Sequence, residues 1–190
     1  MKRLFELAEK IKNKELREKT IQLLKEPEIS NPEMIYPKSN FSKAPGWVGA
    51  HHNYEGGLID HTVSVTKIAL DIAKHFEESY KISINYDHLI SGALLHDIMK
   101  VFILKKSGNK WNFTDTVLDH AQFSACELYS RGFPEGVVHI VASHGGDMGV
   151  ASANPRTVEA LIVFHADVFD SAVESFVHGM PEIVLFQQEE

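Results

Sequence analysis

The chain predicts an all-α domain, a helical bundle carrying one small β-hairpin near residues 101–114. Three observations predict it. Over 61–76 the apolar residues Val65, Ile68, Ala69, Ile72, Ala73 and Phe76 recur at helical spacing, which lays one stripe along a helix. The stretch DHLISGALLHDIMKVFIL, 87–104, is apolar nearly all round, which marks a central helix packed on every side. A strand-like pattern occurs in VFILKKSGNKWNFTD, where two short apolar runs flank Ser107-Gly108-Asn109, as in a hairpin.

The elements follow in order. Residues 1–26 read as one or two amphipathic helices, with Asn13 as N-cap of the second. EPEISNPEMIYPKSNFSKAPGW carries four of the seven prolines and reads as an irregular connection along the surface. In HHNYEGGLIDHTVSV, 51–65, Gly56 and Gly57 let the backbone turn tightly ahead of the helix that carries His61. After the hairpin, helices are expected at about 116–131, 134–144 and 156–178. Pro134 suits a first helical turn, and Gly145-Gly146 ends that helix.

A chain of 190 residues suits one domain over 1–190, with N-terminal helices at 1–26 and a core at about 47–178. Composition is that of a globular protein, 44% hydrophobic and 24% charged. The single cysteine, Cys126, excludes an internal disulfide framework and fits a reducing cytosol. No apolar run reaches membrane-spanning length and the N-terminus is charged throughout. Neither a signal peptide nor a membrane span is therefore expected, and the expected location is cytoplasmic. The first 26 residues hold eight Lys/Arg against five Asp/Glu, which reads as a solvated helix face. A net charge of -7 argues against a dedicated nucleic-acid binder. It does not exclude a nuclease whose metal ions supply local positive charge.

Six residues are polar where their helices should be buried. His96 and Asp97 interrupt ALLHDIMKVF, and His144 continues the stripe of Val137, Ile140 and Val141. Asp167 lies inside ALIVFHADVFDSAV, His120 lies beside the small residues Ala121, Ser124 and Ala125, and His61 completes the set. A carboxylate in such a helix is costly unless paired or metal-bound. A lone buried histidine is usually a satisfied core residue, but six such residues together point to a shared partner. Four imidazoles and two carboxylates suit one or two divalent transition metals, Mn, Fe, Co, Ni or Zn. The spacings of 35, 24, 24 and 23 residues each equal about one helix plus one connection, so the ligands would converge from successive helices. His96 and Asp97 lie about 100° apart on a helix and reach one cluster, with Lys100 on the face of His96. His75, His88, His139, His165 and His178 sit at helix ends or on other faces and are not expected to ligate.

The ordered set His61, His96-Asp97, His120, His144, Asp167 resembles the HD domain of metal-dependent phosphohydrolases. The fuller string HHNYEGGLIDHTVSV … LLHDIMKV … DHAQFSA … SHGG … NPRTVEA … HADVFDSA is similar to the HD module of YhaM-like 3′→5′ exoribonucleases, from about Asn13 to Phe176. The OB-type nucleic-acid module that precedes it in those enzymes has no counterpart in these 190 residues. The resemblance implies an α-helical bundle and hydrolysis of phosphate esters. It implies His61, His96, Asp97 and Asp167 as core metal ligands and His120 and His144 as the added histidines of two-metal members. Asp97 would then bridge both ions, and Lys100 matches the lysine of the HDxxK form.

Water on such metals loses a proton far more easily than bulk water. It is expected to attack phosphorus in line near Asp97, while Lys100 and the metals neutralise charge on the phosphoryl oxygens. Asp97 and Lys100 are thus the expected catalytic residues. His51, His52 and Lys100 are candidates for binding the substrate, and His51 or His52 for protonating the leaving oxygen. The expected substrate is a phosphate-ester small molecule, a nucleotide or a short oligonucleotide, cut by a phosphodiesterase. Two alternatives stand beside it: a 5′-nucleotidase or nucleotide phosphohydrolase, and a non-catalytic metal-binding HD module that senses a ligand.

Overall fold

A computed structural model describes residues 1–145 and 153–179. Within them lie helices α1 (Lys2–Ala8), α2 (Lys14–Lys25), α3 (Gly57–Tyr80), α4 (Tyr86–Leu95) and α5 (Lys100–Ile103). The antiparallel pair β1 (Leu104–Ser107) and β2 (Lys110–Phe113) follows, then α6 (His120–Ser130), α7 (Glu135–Ser143) and α8 (Val158–Val177). The fold is all-α with one minor hairpin, as the sequence predicts.

α4 is the centre. Leu89 to Leu95 are all buried, and the helix touches α1, α2, α3, α7 and α8. Gly92 makes that crowding possible, because a Cβ there would stand 2.5 Å from Ile140 Cγ2 on α7. Around α4 the buried side chains fall into two clusters. One includes Leu58, Val63, Leu95, Ile98 and Val141; the other includes Val65, Ala93, Ile140, Val163 and Ala166. His96 bonds to Ala93 O of the second cluster and His144 to Val141 O of the first, so the polar residues adjoin both.

Caps set the boundaries. Asn13 Oδ1 accepts from the Leu16 N–H at 3.0 Å and starts α2, which settles residues 1–26 as two helices. Asp119 Oδ1 accepts from Ala121 and Gln122 N–H, so α6 begins at His120 and not near 116. Pro134 is the N-cap of α7, one residue ahead of the first helical turn. α7 ends at Ser143, and Gly146 lies outside the described residues. Gly56 takes a left-handed φ of 89°, and α3 begins directly after it, four residues before His61.

The expected continuous helix over 87–104 is broken. α4 stops at Leu95, and the chain continues through i→i+3 hydrogen bonds: Ile98 N–H to Leu95 O, Lys100 N–H to Asp97 O, and Phe102 N–H to Met99 O. A run that is apolar on all sides reports burial and not backbone period, so the pattern could not reveal this tightening to about three residues per turn. The hairpin accordingly spans 104–113 rather than 101–114. No helix of the described residues is long and apolar enough to cross a membrane.

Candidate metal centre

α3 contributes His61, the turn between α4 and α5 contributes His96 and Asp97, and α6 opens with His120. His144 closes α7, and α8 contributes Asp167. The four imidazoles converge on the Asp97 carboxylate. His61 Nε2 and His96 Nε2 stand 3.4 and 3.2 Å from Oδ2. His120 Nε2 and His144 Nε2 stand 3.4 and 3.7 Å from Oδ1. Asp167 Oδ1 joins the first group, 3.0 Å from His61 Nε2 and 3.9 Å from His96 Nε2. Because Asp97 sits in a tight turn, Lys100 meets it at i,i+3 instead of lying along the face of His96: Nζ is 2.6 Å from Asp97 Oδ2.

The donor set fits metal ions. Asp97 is buried, yet neither of its carboxylate oxygens has a hydrogen-bond partner among the described residues; the Lys100 ammonium is near but not aligned for one. Three imidazoles are held by their other nitrogen. His61 Nδ1–H donates to Asp170 Oδ2 at 2.8 Å, His96 Nδ1–H to Ala93 O at 2.7 Å, and His144 Nδ1–H to Val141 O at 2.7 Å. In the neutral rings these acceptors leave the lone pair on Nε2, aimed inward. The nitrogens then face each other, His61 to His96 at 3.3 Å and His120 to His144 at 3.1 Å. Facing lone pairs repel unless a cation or a proton lies between them. Two nitrogens on one ion at about 2.0–2.1 Å, near right angles, stand about 3 Å apart.

Without ions, protons do part of that work. Burial would lower the pKa of His61, but Asp167, Asp170 and Asp97 overcome it and raise it well above the ordinary imidazole value. His144 is also raised: burial opposes, and the nearby Asp97 and Asp167 carboxylates prevail. Burial would raise Asp97, but Lys100, His96, His144 and His61 hold it well below the carboxylate range. For Asp167 burial is likewise outweighed, chiefly by His61, and its pKa is lowered. For His120 burial wins: with Lys100 and His144 adding to it, it outweighs Asp97 and Asp167 and lowers the ring to about 3.

The loop ahead of α3 folds over the cluster. A Cβ on Gly57 would stand 2.0 Å from His52 O, so only glycine admits the close return of the chain. His52 itself takes a left-handed φ of 49°, uncommon for a residue with a side chain, and its N–H donates to Glu174 Oε2 at 2.7 Å. The rings of His51 and His52 lie 4.7 and 5.3 Å from that of His61. Burial lowers His51 to about 2, which keeps it neutral. Lys100 Nζ donates to Gly46 O at 3.0 Å and lies 4.9 Å from the Trp47 ring centre. Trp47 also stands 5.4 Å from His120.

Sequence reasoning missed Asp170, Glu174 and Trp47. The spacing of Asp167, Asp170 and Glu174 places three carboxylates on one face of α8, a signal that was present. Trp47 lies in an irregular stretch with no period to read. Of the histidines not expected to ligate, His139 binds the Arg156 N–H through Nε2 at 2.9 Å, and His178 is exposed with its Nδ1 near Glu174.

The sequence model of the HD domain matches residues 58–172. The chain is 46% identical over 175 residues to the dihydroneopterin 2′,3′-cyclic phosphate phosphodiesterase of Methanocaldococcus jannaschii, covering 91% of this chain and 70% of that protein. It is 29% identical over 146 residues to the 3′-5′ exoribonuclease YhaM of Listeria monocytogenes. That match covers 72% of this chain, which spans less than half of YhaM, 45% of its length. No solved structure matches the chain.

Proposed function

The chain belongs to the HD-domain family and is a metal-dependent phosphodiesterase, and from that premise we propose that its substrate is a 2′,3′-cyclic phosphate on a compound with a heteroaromatic ring. The chemistry rests on one observation, the buried Asp97 carboxylate without hydrogen bonds between two facing pairs of imidazole nitrogens. The substrate class rests on the 46%-identical relative, whose name carries a cyclic phosphate and a pterin.

His61, His96, Asp167 and Asp97 Oδ2 would hold one ion, and Asp97 Oδ1, His120 and His144 a second. Divalent transition metals there (Mn, Fe, Co, Ni or Zn) would supply Lewis acidity and a water acidic enough to act as nucleophile at neutral pH. The remaining work falls to the chain. Asp97 fixes the spacing of the two halves. Lys100, anchored on Gly46 O, brings a positive charge against the phosphoryl oxygens. Neutral His51 would offer an N–H to the phosphate, while His52, tied by its backbone to Glu174, orients the loop. Trp47, beside both Lys100 and His120, gives a ring face against which a heteroaromatic group stacks. We read residues 1–190 as one domain, with α1 and α2 packed on the HD core.

One assay series tests this. Metal-loaded protein is offered bis-p-nitrophenyl phosphate, 2′,3′-cyclic mononucleotides and 5′-mononucleotides. Hydrolysis of the first two and not the third is expected. Release of phosphate from 5′-mononucleotides alone would make it a nucleotidase, and no hydrolysis by fully metallated protein would leave a metal-binding sensor.

A further inference from the structure

We infer that the β1–β2 hairpin and the strap over residues 37–43 form a second binding surface beside the metal centre, for the upstream nucleotides of a short single-stranded RNA ending in a 2′,3′-cyclic phosphate. The inference deepens the cyclic-phosphate reading and rests on it for the reacting end only. A groove of about 280 Å³ runs between strap and hairpin, lined by Pro37, Lys38, Ser39, Lys43, Lys105, Lys106 and Trp111 among others. Its walls are fixed: Ser39 N–H and Oγ both donate to Val101 O, at 2.7 and 2.9 Å.

Charge and aromatic surface coincide here. Four lysines line the groove in a chain whose net charge is -7. The nearby carboxylate is Glu55, 3.7 Å from Lys43 Nζ and 2.9 Å from Lys106 Nζ. Among the described residues, Lys38 and Lys105 have no ion-pair partner, so their charge is available to phosphates. Lys106 faces Trp111 across the hairpin, with Nζ 5.8 Å from the ring centre. Trp111 and Phe113 alternate on one face of β2, and Phe113 is 44% exposed. Phe113 in turn lies 5.2 Å from Trp47, and Trp47 lies 5.4 Å from His120. A series of rings thus leads from the metal centre to a lysine-lined groove. Non-specific single-strand sites combine these two features, a positive path for the backbone and ring faces for the bases. The adjacency explains how one centre could take a cyclic phosphate at the end of a strand as well as on a small molecule.

The test is chain-length dependence. Metal-loaded protein is given uridine 2′,3′-cyclic phosphate and a uridine trinucleotide with the same cyclic end. The wild type should show kcat/KM roughly 5- to 150-fold higher on the trinucleotide, the range that stacking of one base brings. Trp111→Ala and, separately, Lys105→Glu should remove that advantage while leaving the mononucleotide rate unchanged. Equal rates on both substrates, or an advantage that survives both variants, would overturn the inference. Trp111 packs partly on the core, so the exposed Lys105 keeps the test sound if Trp111→Ala unfolds. Should neither cyclic phosphate be cut although bis-p-nitrophenyl phosphate is, the cyclic-phosphate reading fails. Fluorescence anisotropy with a labelled oligouridylate then decides the surface by itself. Binding weakened by both variants, with a log–log salt slope near -0.7 per phosphate contact, would sustain it, and no binding would end it.

Discussion

On the Oδ2 side of Asp97, His61 Nε2, His96 Nε2 and Asp167 Oδ1 stand 3.0 to 3.9 Å from one another, and both imidazoles are held from behind, by Asp170 Oδ2 and Ala93 O. On the Oδ1 side stand His120 and His144, and of these His144 is anchored, on Val141 O. The first half carries an extra carboxylate and two fixed rings. The second has one fixed ring and His120 beside Trp47; each side reaches the surface through one residue, Asp167 at 18% and His120 at 14% exposed. Orientation of a ligand by its outer contacts commonly sets metal affinity within 10- to 100-fold. The comparison therefore leads us to expect that the Oδ2 side holds an ion more tightly than the Oδ1 side.

The largest expected effect comes from removing what the halves share. Asp97→Asn keeps the volume but withdraws a charge from both sides. Metal content should fall from up to two ions per chain toward none, and turnover on a diester should fall roughly 10²–10³-fold or more. Lys100→Ala, whose ammonium cannot ligate a cation, should retain both ions and lose turnover. Retained metal in Asp97→Asn, measured by elemental analysis of folded protein, would refute the idea of a shared bridge.

Chelation comes next. Stripping both ions leaves Asp97 and Asp167 with only protons and Lys100 as counter-charge. At ion concentrations near 100 Kd, each bound ion contributes about 2.7 kcal/mol, so melting should fall by about 5–10 °C per ion removed for a chain of this size. A melting curve unchanged after verified removal would mean that the cluster is satisfied without metal.

These two experiments probe residues that were legible in the sequence, and the reason is physical. His61, His96, Asp97, His120, His144 and Asp167 are polar where the helical period demands apolar side chains, so each contradicts its own helix. The fold was legible on the same ground, since the stripes in α3 and α8 are long and regular. Asp97's placement was not: the central run is apolar on every face, and such a run cannot distinguish a helix from a helix that tightens after Leu95. Asp170 escaped notice because it lies toward the end of α8 among apolar residues already assigned to the core. The left-handed turn at His52 depends on Glu174, 122 residues away, which no local pattern encodes.

Smaller variants separate the halves. His120→Ala should lower the ion count by one and leave the Oδ2 side loaded. Asp170→Asn removes the charge behind His61 but keeps an acceptor for its Nδ1–H, so affinity on the Oδ2 side should weaken by about tenfold, with the Oδ1 side unaffected. Isothermal titration of each variant reads both. A His120→Ala protein that loses both ions would show that the two sides fill together.

The smallest effect is the response to pH, and it differs between the halves. In the ion-free protein His61 is raised well above 6.5, so near neutral pH it carries a proton on Nε2, the atom that would ligate. A group with a raised pKa holds its proton below that value, so an ion arriving on the Oδ2 side must displace it. Affinity there should rise with pH, by up to about tenfold per unit for one displaced proton, and level off once the pH passes the raised pKa of His61. On the Oδ1 side His144 is raised too, but His120, lowered to about 3, is already neutral and releases nothing above pH 5. Titration of His120→Ala between pH 6 and 8, in weak buffer with an indicator dye, isolates the Oδ2 side and should show a proton released per ion bound. Affinity flat across that range, with no acid released, would mean that His61 enters the site neutral and that Asp170 only orients it.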